Sequence, residues 1–159
     1  MPESKDLTLQ TPWGKLNIRV AFLVFRAGKI LLQQHDAHDY WFMPGGRVAF
    51  GETSEEAVIR EIGEELHCAP DSLELAGVVE NFFVSERQNF HELMIFYRAA
   101  LPEPLTLPKE DIHGTPITSA WFSPDDLRET DLKPAFLKER LFSFAAGFQH
   151  VTHRDSKKT

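Results

Sequence analysis

A chain of 159 residues, 42% hydrophobic and 26% charged, is long enough to bury one core and has the balance of an ordinary globular domain. Its net charge of −7 argues against broad binding to nucleic acid backbones, so no nucleic acid duplex is expected as a partner. A single cysteine, Cys68, excludes an intramolecular disulfide and a cysteine-based zinc site; with no long apolar run and no charged-then-apolar leader, a cytoplasmic location without a membrane partner is expected.

In chain order, Met1 to Gln10 is polar and reads as a loose N-terminus, with Leu7 and Leu9 able to begin a strand. Leu16 to Phe25 is a β-prone apolar run and reads as a buried strand, turned by Arg26 to Lys29 into a returning strand over Ile30 to Gln34. Arg19 is the polar exception: a surface arginine or a phosphate clamp, for which guanidinium is suited. His35 and His38 lie in a polar loop and read as solvated. Tyr40 to Met43 is an aromatic run leading into Pro44; core packing is its main use, with Trp41 the candidate for stacking on a base.

The stretch from Pro44 to Cys68 organises the chain. Gly45, Gly46 and Gly51 mark turns where backbone can approach a ligand closely. Thr53 followed by Glu56 is a capping-box pattern, so a helix is expected to begin near Ser54. Val58, Ile62 and Leu66 form its core stripe, while Glu61, Glu64 and Glu65 stand at i, i+3 and i+4 on one face. Like charges at that spacing repel and raise one another's pKa, a penalty that a divalent cation removes; hard oxygen ligands select Mg²⁺, Mn²⁺ or Ca²⁺, and Mg²⁺ is the expected cofactor, with Mn²⁺ as a substitute.

Beyond the helix, Leu73 to Val84 and His91 to Leu101 read as a strand hairpin; Glu80, His91 and Glu92 interrupt it, and any of them could face a pocket, although alternation makes an outward-facing residue the simpler account. Pro102 to Pro116 is a proline- and charge-rich loop carrying Glu110 and Asp111. Ile117 to Phe122 is a short strand, Ser123-Pro124 starts a capped helix, and Pro134 to Phe144 reads as an amphipathic terminal helix. Residues 149–159 read as a polar tail, with His150 and His153 at its surface. Strand runs mixed with few helices fit a sheet with helices on its two faces, in one domain over residues 1–159.

From Gly46 the chain runs Gly, five residues, Glu52, seven residues, Arg60-Glu61-Ile62, one residue, Glu64-Glu65, one residue, His67. This resembles the Nudix box, the signature of the Nudix hydrolases, which cleave nucleoside diphosphates linked to another moiety. His67 stands where the family usually has glycine, which puts the helix terminus in question rather than the metal site. The resemblance implies an α/β/α sandwich around a mixed sheet, and a small phosphorylated, nucleotide-type substrate; a homodimer is left open. It implies a metal held by Glu61, Glu64, Glu65 and the Gly45 carbonyl, with Gly46, Glu52 and Arg60 supporting the site. Arg19, Trp41 and Arg47 are the candidate substrate contacts. Glu61 or Glu64 is the candidate base, and Glu110 is the alternative because some family members recruit a loop carboxylate. Residues Tyr40 to Val48 are also similar to GDP-mannose mannosyl hydrolases, but those enzymes depart from the full box that this chain keeps. A non-catalytic ligand-binding module is the alternative of a different class, and the intact glutamate set argues against it.

Overall fold

The computed structural model describes residues 5–155. Its strands are β1 Thr8–Thr11, β2 Gly14–Leu23, β3 Phe25–Arg26, β4 Lys29–His35, β5 Gly45–Arg47, β6 Ser72–Ser85, β7 Gln88–Ala100, β8 Ile117–Phe122 and β9 Gln149–Arg154. Its helices are α1 Ser54–Leu66 and α2 Pro124–Glu129, followed by short 3₁₀ turns at Ala135–Leu137 and Leu141–Ala145. The main sheet is mixed and runs β1-β2-β7-β6-β9, with β5 also paired to β2; β3, β4 and β8 form a second, antiparallel sheet. In the main sheet β2 is parallel to β7 and β6 parallel to β9, while β6 and β7 make a long antiparallel hairpin.

Period-two alternation sorts the main sheet into two faces. Val20, Phe22, Tyr97 and Ala99 pack on one side with Val58, Ile62 and Leu66 of α1. Ala21, Met94, Phe96 and Val79 pack on the other, with Leu137, Leu141 and Phe144 of the 3₁₀ turns. The fold is thus a mixed α/β sandwich, as expected from the order of strands and helices.

The capping box of α1 forms: the Glu56 amide donates to Thr53 Oγ1 at 3.1 Å and the Thr53 amide to Glu56 at 2.8 Å. At the other end His67 adopts the left-handed conformation, φ 55°, and its amide donates to the Gly63 carbonyl at 3.1 Å. His67 therefore performs the cap that glycine usually performs, and the helix ends where the box pattern ends.

Two expectations at the C-terminal end are corrected. Residues 134–144 form two short 3₁₀ turns rather than one amphipathic helix. Neither turn has a side-chain cap, and what fixes them is burial of Leu137, Leu141 and Phe144. Gln149–Arg154 is a strand, not a tail: it completes the edge of β6 from Gly77↔Gln149 to Phe82↔Arg154. Backbone pairing to an open edge needs little hydrophobicity from the added strand, which is why its polar sequence hid it. At the N-terminus the strand that Leu7 and Leu9 could begin does form, as Thr8–Thr11 paired to β2; residues 1–4 and 156–159 lie outside the described residues.

Candidate active site

The sheet edge at β5 brings the glycine turn against α1. Gly45 sits at φ 152°, where a Cβ would collide with the Val20 carbonyl, so the turn requires glycine. At Gly46 a Cβ would overlap the Glu61 carboxylate. Glycine at this position is what lets Glu61 lie against the turn.

Arg60 ties the loop to the helix. Its Nε and Nη2 donate to the two Glu52 oxygens at 2.7 and 3.1 Å, and Nη2 also donates to the Arg47 carbonyl at 3.0 Å. The Ala49 amide donates to Glu52 Oε2 at 2.8 Å. This bidentate hydrogen bond to Arg60, opposed by some burial, holds the Glu52 carboxyl below its usual range. Arg60 Nη1 reaches on to Glu61 at 2.8 Å and to Glu64 at 3.4 Å.

The three box glutamates are not equivalent. Glu61 is 8% exposed, and burial pushes its carboxyl up despite the Arg60 hydrogen bond. Among the described residues the Glu64 carboxylate is held by Arg60 alone and loosely. Glu65 turns inward: its carboxyl is pushed well up by burial and by the neighbouring Glu61 charge, which the hydrogen bond from the Gly45 amide does not offset. Glu65 Oε2 is buried and has no hydrogen-bond partner. Among the described residues no three His, Cys, Asp or Glu side chains converge tightly enough to hold an ion as they stand.

On the opposite face of the main sheet lies a cleft of about 910 Å³. Arg19, Asn81, Glu92 and Met94 form part of its lining, with Phe136 and His153 among the other residues. His153 stacks on Phe136 with ring centroids 4.1 Å apart and planes 4° from parallel. His38 stacks on Tyr40 and His35 lies against Phe42, and all four rings line the same cleft. Arg19 connects the two regions, since its charge is felt by Glu61 and Glu65 and also by Glu92. Arg47 is its cross-strand partner on β5 and pairs with Asp6 at 3.7 Å.

Several sequence expectations change here. Trp41 packs edge-on against Phe122, 4.7 Å between centroids, beside the core, while its neighbours Tyr40 and Phe42 line the cleft. Adjacent residues point apart, and the aromatic run did not reveal which ring faced the cleft. Glu92 does not face solvent but is 9% exposed on the cleft side, where residues 133–136 line the same cleft. His35 and His153 are half-buried in the cleft, whereas His38 lines it and stays exposed, as expected. Glu80 and His91 are not part of the cleft, and Glu80 pairs with His150 at 2.8 Å. The cleft residues Asn81 and Phe136 were missed; the only signal was polar Asn81 inside an apolar strand.

The loop after β7 docks on α1 through the Ile112 amide, which donates to the Glu64 carbonyl at 3.0 Å. Asp111 is used by the loop itself: its Oδ1 accepts from the amides of His113 and Thr115 at 2.8 and 2.9 Å. Slight burial works against ionisation there, but those bonds outweigh it and hold the carboxyl below its usual range. Glu110 is exposed.

This combination of a mixed sandwich and a glycine turn packed on a glutamate-rich helix defines a Nudix domain. The family model for the NUDIX domain matches residues 15–143, and the chain belongs to that family. The fold is similar to that of a MutT NUDIX hydrolase from Burkholderia pseudomallei, at 25% identity and TM-score 0.63 over 79% of this chain and 97% of the other. It is also similar to the mutator MutT protein from Bacillus halodurans, at 18% identity and TM-score 0.65 over 87% and 90%. A mutator protein named MutT4 from Mycobacterium tuberculosis is 32% identical over 57 residues, which are 36% of this chain and 23% of that protein. The chain thus matches less than a quarter of the length of such curated relatives.

Proposed function

We propose that this Nudix hydrolase cleaves the pyrophosphate bond of a nucleoside diphosphate linked to another moiety, with a divalent cation at the box. The observation that carries the reading is the buried, unpartnered Oε2 of Glu65 beside Glu61 at the glycine turn. A buried carboxylate oxygen without a partner is costly, and a hard cation is the chemistry that answers it. The donor chemistry fits that group: Glu61, Glu64 and Glu65 would hold it, with the Gly45 carbonyl as a further ligand, once the carboxylates draw closer than they stand here. Mg²⁺, or Mn²⁺ in its place, would offset phosphate charge and acidify bound water when present.

The chain's own groups supply the rest. Arg60 and Glu52 fix the loop against the helix, which presets the positions of Glu61 and Glu64. Glu64 is the box carboxylate least tightly held and half-buried, so we assign it the base that takes the proton from attacking water. Arg19 and Arg47 stand side by side across β2 and β5 and offer guanidinium to phosphate. The cleft beyond Arg19, lined by stacked rings, suits a base.

The test is a parallel screen of nucleoside triphosphates, sugar nucleotides and dinucleotides on chelator-treated protein, with and without added Mg²⁺, in ¹⁸O-labelled water. Mg²⁺-dependent release of a nucleotide, with label on phosphorus in a product, is expected. Label in a sugar hydroxyl would instead indicate glycosyl transfer, the mannosyl hydrolase alternative. Absence of turnover on every substrate would sink the hydrolase reading in favour of a ligand-binding module.

A further inference from the structure

The cleft contains polar groups that stacking alone does not explain. Register aligns Asn17 of β2 with Glu92 of β7, Glu92 with Asn81 of β6, and Asn81 with His153 of β9. Directly paired residues share a face, so these four side chains form one polar row across the sheet. Asn81 is 3% exposed and Glu92 9%, yet both line the cleft. Asn81 Oδ1 is buried without a hydrogen-bond partner. Glu92 accepts a hydrogen bond from the Asn17 side chain, and among the described residues it has no ion pair. Asn17 Oδ1 is itself occupied by Thr8 Oγ1 at 3.0 Å, so the amide of Asn17 is oriented to donate toward Glu92.

A buried row that keeps acceptors short of donors is set up for a ligand whose edge is rich in donors. Among nucleobases, guanine presents two adjacent donors, N1–H and the N2 amino group, which match a carboxylate as a pair; the second N2 hydrogen is left for an amide oxygen. Hypoxanthine offers N1–H alone. Adenine and cytosine place a ring-nitrogen acceptor beside their amino group, and uracil flanks its one N–H with carbonyls, so each would set a lone pair against Glu92. His35, whose Nδ1 is buried without a partner in the same cleft, supplies a donor for the guanine carbonyl in its Nδ1–H tautomer. The geometry points to Glu92 and Asn81 as specificity-determining residues that read the donor edge of a guanine-type base. The inference rests on the hydrolase reading for the path from base to phosphate, through Arg19, but not for the base contact itself.

The test is calorimetric binding of GMP, IMP, AMP, CMP and UMP to the full chain in chelator, where no turnover occurs. The expected order is GMP first, with IMP about tenfold weaker and AMP about a hundredfold weaker, as for loss of one and then two hydrogen bonds to a charged group. Glu92→Gln should shrink the GMP-to-AMP ratio at least tenfold, and Asn81→Leu should shrink the GMP-to-IMP ratio. Native protein that binds all five within threefold, prefers another base, or gives no saturable GMP binding overturns the inference whatever the variants do. So does a larger effect from removing the 2′-hydroxyl than from changing the base, since that would assign Glu92 to ribose. Selective GMP binding without hydrolysis would leave this inference standing and remove the hydrolase; equal hydrolysis of every base would do the reverse.

Discussion

The two faces of the main sheet are built in opposite ways. On the α1 face, the carboxylates of one contiguous stretch, Glu52 to Glu65, are gathered by a single helix and one arginine. On the cleft face, Arg19, Glu92, Asn81 and His153 come from four strands and meet only through register. Reactive groups of fixed spacing suit one rigid helix, whereas a surface that reads a ligand can be assembled residue by residue across a sheet. Substitutions on the two faces should therefore fail in different ways.

The largest effect falls where the helix is anchored. Ile62 is fully buried, and Ile62→Asp puts an unpaired carboxylate in the core, which costs several kcal/mol. The variant should be insoluble or lack a cooperative thermal transition; a soluble, normally melting protein would mean that the α1 faces are assigned wrongly.

Next comes Glu65→Gln. Hydrolysis should fall by about 10²–10³-fold, because shape is kept while a ligand charge is lost. The metal-free protein should nevertheless melt higher, by about 2–4 °C for each kcal/mol gained by removing a buried, unpaired charge. The pH dependence carries the sign. Burial raises the folded-state pKa of Glu65 above the ordinary 4.5, so its contribution to stability is fully present below 4.5 and is lost as pH rises through the raised value. Glu61 and Glu92 are raised by burial too and act in the same direction. Metal-free native protein should lose melting temperature as pH rises above the ordinary carboxylate range, and Glu65→Gln should flatten that slope. A parallel slope in the variant would remove Glu65 as its source.

On the cleft face Phe136→Ala should raise KM about 5–50-fold, the range for losing one stacking contact, while kcat stays within about threefold. Equal losses in both would place Phe136 with the chemistry and blur the contrast between the faces. The smallest effect is expected in the loop: Glu110→Gln should stay within about threefold in kcat, because Glu64 takes the base role in this account. A fall of about 10²–10⁴-fold would move the base to Glu110.

The same contrast explains what was legible in the sequence. Thr53, Glu56, Val58 and Ile62 report a helix because their spacing is local, and Arg60 with Glu52 could be paired from the box alone. Nothing local reports that Glu92 shares a cleft with residues 133–136, since period-two alternation assigns two faces without saying which is covered. His67 illustrates the reverse: a left-handed cap is favoured by glycine, yet the helix terminus forms without it. Val151 alone is buried in β9, too weak a signal to separate a strand from a polar tail.

The central claim is that the carboxylates of α1 hold a divalent cation through Glu65. Its most direct test is the melting temperature of chelator-treated native protein and of Glu65→Gln as Mg²⁺ is added, without substrate. Binding to the folded state stabilises it by mass action, by about 2.7 kcal/mol at a hundredfold excess over Kd, so the native curve should climb with Mg²⁺ while the variant stays flat. Equal climbs in both proteins, or none in the native one, would contradict the claim.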